Sequence, residues 1–433
     1  MPHRYTRRTF LRGAAMGAAA VVVNPVLSLR RVAGAATGNP GRFVVVINML
    51  GGNDGLDTIV PTHLEPYVDA RPTTNLVEHL PPGESLLDLS GGVKLHYNLK
   101  NAKRLWDDGD LHVVNKVSYP DPNESHFTSM DIMSLGVREV QEGDGRGWLG
   151  RFADLYCADP VEPLGVVSVG VGRMPDFRSQ VTTPLALDSV EGFAFVSSED
   201  TYPGEHDLRL KVTRDILATD GAPGKEPQLT LHDANKQAHD LVDRVRAGTA
   251  GWTDPRIYPS SFIGQYLRTV SQLLHGQADF GTKVFYTGFG GFDTHAGQPV
   301  RHAALMNELD LALGAFATDL KSPAKNLWND CVVVVISEFG RRVAENGSEG
   351  TDHGHGNAFL VAGGGVKGRL DAGGGMTEPL VEADLAGQEN VPFAVDFRNV
   401  YGSVFERHLG VEAEGLFPDP GYTPDFGSLD LVT

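Results

Sequence analysis

Apolar residues are not spread evenly along this chain. They gather in short runs that each end in a polar, glycine-rich segment. Arg42-Phe43-Val44-Val45-Val46-Ile47-Asn48-Met49-Leu50 runs into Gly51-Gly52-Asn53-Asp54-Gly55, and similar runs cover 112–117, 283–287, 331–336 and 358–362. Runs of this length without alternation read as strands buried on both faces. Between them the spacing changes to that of a helix. Leu99, Ala102, Leu105 and Trp106 make one stripe; Leu305, Leu309, Ala312, Phe316 and Leu320 make another within 301–320. Strands alternating with helices predict an α/β fold, a mostly parallel sheet with helices on both faces.

Elsewhere the pattern is weaker. Phe127, Met130 and Met133 repeat at helical spacing after Ser125. Residues 166–171 and 194–196 read as strands, and 261–275 as a helix through Phe262, Leu267, Val270 and Leu274. No Pro/Ser-rich linker bounds this region. Residues 36–433 are therefore expected to form a single domain with an elaboration at about 151–280.

The first 35 residues change the compartment. Thr6-Arg7-Arg8-Thr9-Phe10-Leu11-Arg12, a weakly apolar Gly13–Val23 and a small-residue Ala33-Gly34-Ala35 form a twin-arginine signal peptide pattern. The apolar stretch falls short of the ~20 residues that span a bilayer, so no stable membrane span is expected in the mature chain. The twin-arginine export machinery is the expected partner, and the destination is periplasmic or extracellular. Removing Arg4, Arg7, Arg8, Arg12, Arg30 and Arg31, with no acids among these residues, takes the formal charge from −18 to −24. Such a surface repels nucleic acid and anionic membranes. The two cysteines, Cys157 and Cys331, are too few for a disulfide framework.

In open α/β sheets functional groups collect beyond the carboxyl ends of the strands. Asp54, Ser125 with His126, Asp293 with His295, and Glu338 each follow a predicted strand. His353 and His355, in Asp352-His353-Gly354-His355-Gly356, precede one. Asp293 and His295, like His353 and His355, are two apart, which in extended chain places both on one side. Each histidine alone reads first as a hydrogen-bonding loop residue. Together, Asp54, Asp293, His295, Glu338, His353 and His355 form a candidate site for one or two divalent cations. Imidazole and carboxylate without thiolate suit zinc first, or manganese or a mixed site.

Ser125 reads either as a helix cap, a role Thr128 with Asp131 also fits, or as a nucleophile at a helix N-terminus. His126 is a candidate ligand or proton donor. Arg341 and Arg342 can hold a phosphate or sulfate, or can be ordinary surface arginines. Gly363-Gly364-Gly365-Val366-Lys367-Gly368 lacks the order of a phosphate-binding P-loop and reads as a turn.

Through GGNDGLDTIVP, SHFTSMDIM, GRGWLGR, GGFDTHAGQ, ISEFGRR, DHGHGNAFLVAGGGVKG and VDFRNVYGSVFERHLGV, the chain resembles the DUF1501 family of exported bacterial proteins. That family's domain is related to alkaline phosphatases and sulfatases. The resemblance implies an alkaline phosphatase-like fold. It implies metal ligation by Asp54, Asp293, His295, Glu338 and His353 or His355, and a nucleophile in the segment from Ser125. Two departures accompany it. Phe339 stands where these enzymes carry a histidine after the acid, which implies one metal or a changed ligand set. No Cys-x-Pro-x-Arg motif supports formylglycine chemistry. The function so implied is an exported metal-dependent hydrolase of an extracytoplasmic phosphate or sulfate ester. The rival is a non-catalytic exported binding or assembly protein that keeps the fold. No dinucleotide fingerprint supports an oxidoreductase.

Overall fold

The first apolar run becomes an interior strand, Phe43–Leu50 (β1), buried along its length except for the half-buried Leu50. In the computed structural model, described for residues 39, 41–140, 143–158, 161–195, 204–218, 226–371, 373–419 and 422–433, β1 lies near the middle of the larger sheet. The expected signal peptide, 1–35, lies outside the described residues. The other strands of this sheet are Leu111–Ser118 (β2), Val166–Val169 (β3), Leu185–Leu187 (β4), Val284–Gly290 (β5), Cys331–Ile336 (β6), Asn357–Ala362 (β7), Met376–Thr377 (β8) and Val395–Asp396 (β9). Among the described residues their order is β8-β2-β7-β6-β1-β5-β3-β4, with β9 also paired to β2. The five longest runs read from the sequence are all strands here.

Pairing is parallel throughout except around β7, which runs antiparallel to both β6 and β2. One consequence matters for function. Because β7 is reversed, its amino end lies on the same sheet edge as the carboxyl ends of β1, β2, β5 and β6. A loop that precedes β7 therefore meets loops that follow the other strands.

The helices that frame the sheet are Lys100–Asp108 (α1), His126–Leu135 (α2), Trp148–Tyr156 (α3), Phe262–Leu273 (α4), Gln298–Lys321 (α5) and Phe397–Val404 (α6). Val44, Val46, Val332 and Val334 share a buried cluster with Trp148, Phe152 and Tyr401 from α3 and α6. The Trp148 and Tyr401 rings stack at 4.6 Å. Side chains alternate along a strand, so Val45, Ile47, Val333 and Val335 face the other side, where α4 and α5 pack through Leu267, Val270, Leu309 and Phe316. That covering on both faces is why the strands lack polar alternation.

Two expectations differ in detail. The region expected as one elaboration is divided: Val190–Gly251 forms a compact unit of its own, whereas 151–189 and 252–280 belong with the sheet. Within the smaller unit, helices Glu205–Leu217 and Glu226–Thr249 pack together. Ala194 and Phe195, expected in a strand, are irregular. The Phe195 ring instead stacks on His239 at 3.8 Å. Among the described residues no helix is long and apolar enough to cross a membrane.

Candidate metal centre

Three imidazoles and one carboxylate converge on the sheet edge defined above. Asp293 follows β5 in a loop that passes against the turn after β1. Gly51, at φ +121, packs so closely there that a Cβ would stand 2.5 Å from the Asp293 amide nitrogen. His295 lies two residues on. His126 opens α2, and His353 arrives from the loop before β7.

The Oδ1 atom of Asp293 is the focus. It lies 3.0 Å from Nε2 of His295, 3.1 Å from Nε2 of His353 and 3.4 Å from Nε2 of His126. The two Nε2 atoms of His295 and His353 are themselves 2.9 Å apart. The remaining nitrogen of each ring is engaged elsewhere. His126 Nδ1 meets Glu338 Oε1 at 2.8 Å, His295 Nδ1 meets Asp352 Oδ1 at 3.1 Å, and His353 Nδ1 meets the Glu124 carbonyl at 2.7 Å. Acceptors at all three Nδ1 positions place the protons there and turn three Nε2 lone pairs toward Asp293. This is how second-shell groups orient metal-binding histidines.

His126, Asp293 and His353 fit a zinc-like cation, with His295 beside them against Asp293 and His353. A tetrahedral zinc with bonds of about 2.0–2.1 Å holds its donors roughly 3.3 Å apart, near the spacings around Asp293. His126, Asp293 and His353 offer donor atoms all within 4.8 Å of one another. His126 Nε2 is enclosed and has no hydrogen-bond partner, the state expected of a nitrogen whose partner is a cation.

Electrostatics favour the ionised carboxylate. Burial acts to raise the pKa of Asp293, but the hydrogen bond and positive charge of Arg341 hold it well below the usual carboxylate range. The hydrogen bond to Glu338 outweighs burial at His126 and raises its imidazole pKa. Hydrogen bonds from Asn346 and His295 keep Asp352 low.

The loops are held by a buried arginine. Arg341 donates from Nε to the Gly52 carbonyl at 2.7 Å, from Nη1 to Thr351 O at 2.9 Å, and from Nη2 to Asp293 Oδ1 at 2.8 Å, Phe292 O at 3.0 Å and Gly51 O. It ties the turn after β1 to the loops after β5 and before β7. The glycine inside the His-Gly-His stretch has a steric reason. A Cβ on Gly354 would stand 2.4 Å from the Arg341 carbonyl carbon, so only glycine lets the loop bring His353 in.

The remaining residues singled out from the sequence lie elsewhere. Asp54 is buried at the start of a helical turn, accepts the amides of Leu56 and Asp57, and pairs with Arg71 at 2.8 Å. Burial alone would raise its pKa, but Arg71 and His302 lower it. Its oxygens are committed there and do not enter the three-imidazole cluster. Glu338 reaches the cluster through His126 and the Gly51 amide, which donates to it at 2.9 Å. His355 turns away toward Glu124, 3.5 Å distant. Arg342 pairs with Glu389 at 2.6 Å and Glu124 at 3.4 Å. Arg341 is fully buried, with its donors committed to protein acceptors rather than free for an anion.

Ser125 occupies the N-cap position of α2, but its side chain makes no capping hydrogen bond. Thr128 and Asp131 lie inside that helix, not at its start, so they form no capping box. Phe339 fills the place between His126 and His353, its ring 4.8 Å from each, and covers Gly52. The sequence places Asp352 in the His-Gly-His stretch but assigns it no ligand role, and no side-chain pattern can reveal the Glu124 carbonyl.

The family model described as "Protein of unknown function (DUF1501)" matches residues 272–415. That segment holds Asp293, His295, Glu338, Arg341 and His353, and it supports the DUF1501 resemblance there. No curated protein matches the sequence. Among solved structures, the chain is similar to the lipoteichoic acid synthase LtaP from Listeria monocytogenes, at 8% identity and a TM-score of 0.36, over 87% of this chain and 73% of that one. It is similar to the C-terminal periplasmic domain of EptC from Escherichia coli in complex with zinc, at 10% identity and 0.35, over 90% and 89%. It is also similar to the alkaline phosphatase from the Antarctic bacterium TAB5, at 9% identity and 0.32, over 76% and 92%.

Proposed function

We propose that this chain is an exported, metal-dependent hydrolase of phosphate or sulfate esters with an alkaline phosphatase-like arrangement of strand-end ligands. The observation that carries the reading is the convergence of three Nε2 atoms on Asp293 Oδ1, with every opposite Nδ1 engaged. His126, Asp293, His295 and His353 would hold the cation. A divalent cation bound there supplies Lewis acidity toward a non-bridging ester oxygen.

The chain's own groups do the rest. Arg341 anchors Asp293 and the backbone on either side of it, so the carboxylate is positioned before substrate arrives. Glu338 orients His126 and keeps the imidazole basic. Ser125, at the mouth of α2, has a hydroxyl free of capping duty and is the proposed nucleophile of this chain, with water as the alternative. Export by the twin-arginine route, as the segment 6–12 suggests, would deliver the folded protein to extracytoplasmic esters.

Elemental analysis of the purified mature protein, followed by a panel of phosphate and sulfate monoesters, tests the reading. Bound zinc or manganese with turnover that disappears on chelation is expected. Protein that takes up no metal and cleaves no ester after reconstitution overturns it. Metal uptake without cleavage would instead favour the rival binding or assembly role. That role draws on the Arg341–Asp293 pair, which can hold the cluster together without catalysis.

A further inference from the structure

A cleft of about 840 Å³ opens directly onto the candidate metal centre, with His126, Asp293 and Glu338 in its wall. The size is that of a small-molecule site. Away from the centre the lining changes character. Met130, Met174, Phe262, Tyr266, Phe289 and Leu305 supply its large side chains, and among the described residues Glu308 is the one further charged group. Among the described residues no lysine or arginine lines the cleft.

Two features keep this space open. Gly290 ends β5 at the cleft, and a Cβ there would meet only the Leu50 carbonyl, 3.9 Å away. Tyr266 lies flat over Gly170, where a Cβ would fall 2.3 Å from its ring. At the start of α4, Phe262 leaves 74% of its surface exposed and stacks near Tyr266, with ring centres 6.2 Å apart. Phe262 and Tyr266 thus carry the apolar lining of the cleft out to its rim.

From this lining we infer the substrate class: an ester with a single phosphate or sulfate group whose organic half is uncharged and apolar, an alkyl chain or aromatic ring seated on the Met130–Phe289–Leu305 wall. The inference rests on the hydrolase reading and narrows it. Additional phosphates or sulfates would meet Glu308 with no cation to balance them. Sugar hydroxyls would lose water against a wall with few hydrogen-bonding partners. Nucleotides, polyphosphates and sulfated glycans are thereby disfavoured.

Binding of non-hydrolysable phosphonates to the zinc-loaded protein, followed by calorimetry, tests this without relying on turnover. Octylphosphonate and phenylphosphonate are expected to bind at least about tenfold more tightly than methylphosphonate, the gain from burying roughly two methylenes. The two probes separate chain from ring. Gly290→Phe, which fills the cleft, should bring both down to the methylphosphonate level while zinc content and methylphosphonate affinity stay unchanged. Leu305→Glu, at a half-buried helix position, gives the same outcome should the strand variant fail to fold. Equal affinity for all three phosphonates, or no effect of either variant, overturns the cleft and leaves the hydrolase reading standing. Selective binding of the apolar probes without cleavage of the matching esters does the reverse.

Discussion

His295 and His353 face each other through their Nε2 atoms at 2.9 Å, while their Nδ1 atoms are held by Asp352 and by the Glu124 carbonyl. Two imidazoles positioned in this way by partners from different loops share one ligand-binding direction. Replacing either with alanine removes a donor and leaves the fold's core untouched. Both His295→Ala and His353→Ala are expected to lose bound zinc, read by elemental analysis after dialysis. Wild-type stoichiometry in both variants would remove them from the ligand set.

Glu338 is expected to act through His126 rather than on a cation. Its Oε1 atom accepts from His126 Nδ1 at 2.8 Å and from the Gly51 amide at 2.9 Å. Glu338→Gln keeps the shape but removes the charge, so zinc affinity should fall roughly 10–100-fold, the range for second-shell groups. Competition with a chromophoric chelator measures it. An unchanged affinity would sink this role.

Asp54 belongs to a different network. With Asp57 it shares Arg71, at 2.8 and 2.7 Å, all fully buried, and burial pushes the pKa of Asp57 up to about 6. Arg71→Met strands both carboxylates without their cation and should cost about 3–5 kcal/mol in unfolding free energy. Zinc stoichiometry should not change. A variant that keeps its stability and loses zinc would return Asp54 to the metal site.

His408 gives a pH signature remote from the candidate centre. Its Nε2 lies 3.1 Å from the Phe43 carbonyl and 3.0 Å from that of Asp330, and burial depresses its pKa to about 4. The unfolded chain takes up this proton near pH ~6.5. Stability from the neutral ring is thus fully present above about pH 6.5 and drains away as pH falls toward 4, a change on the order of 3 kcal/mol. Chemical denaturation at several pH values should show the gap between wild type and His408→Gln narrowing over that window. A gap independent of pH would refute it.

Much of the architecture was legible from local pattern alone. Each apolar run was long enough to require burial on both faces, and burial on both faces is a property of a strand's own residues. The strand-end rule then brought forward Asp293, His295 and His126, because each follows such a run within a few residues. It also brought forward Asp54, which stands in the same local position but has a different partner. Nothing near Asp54 in sequence announces Gln298, which donates to it from 244 residues away. Likewise Phe195 looked like strand until His239 offered its ring a place.

By itself, then, the sequence determined the five long buried strands, their polar endings and the residue types able to hold a cation, because these depend on periodicity and side-chain chemistry over a few neighbours. Only the tertiary structure decided which of them meet. The reversed direction of β7 brings the preceding loop to the candidate metal centre, where His353 meets Asp293 and His355 turns to Glu124. Arg71 claims Asp54, and Arg341 is drawn inward by five backbone and side-chain acceptors. Those choices follow from which opposite charge or lone pair the fold delivers within hydrogen-bonding distance, and no local pattern carries that information.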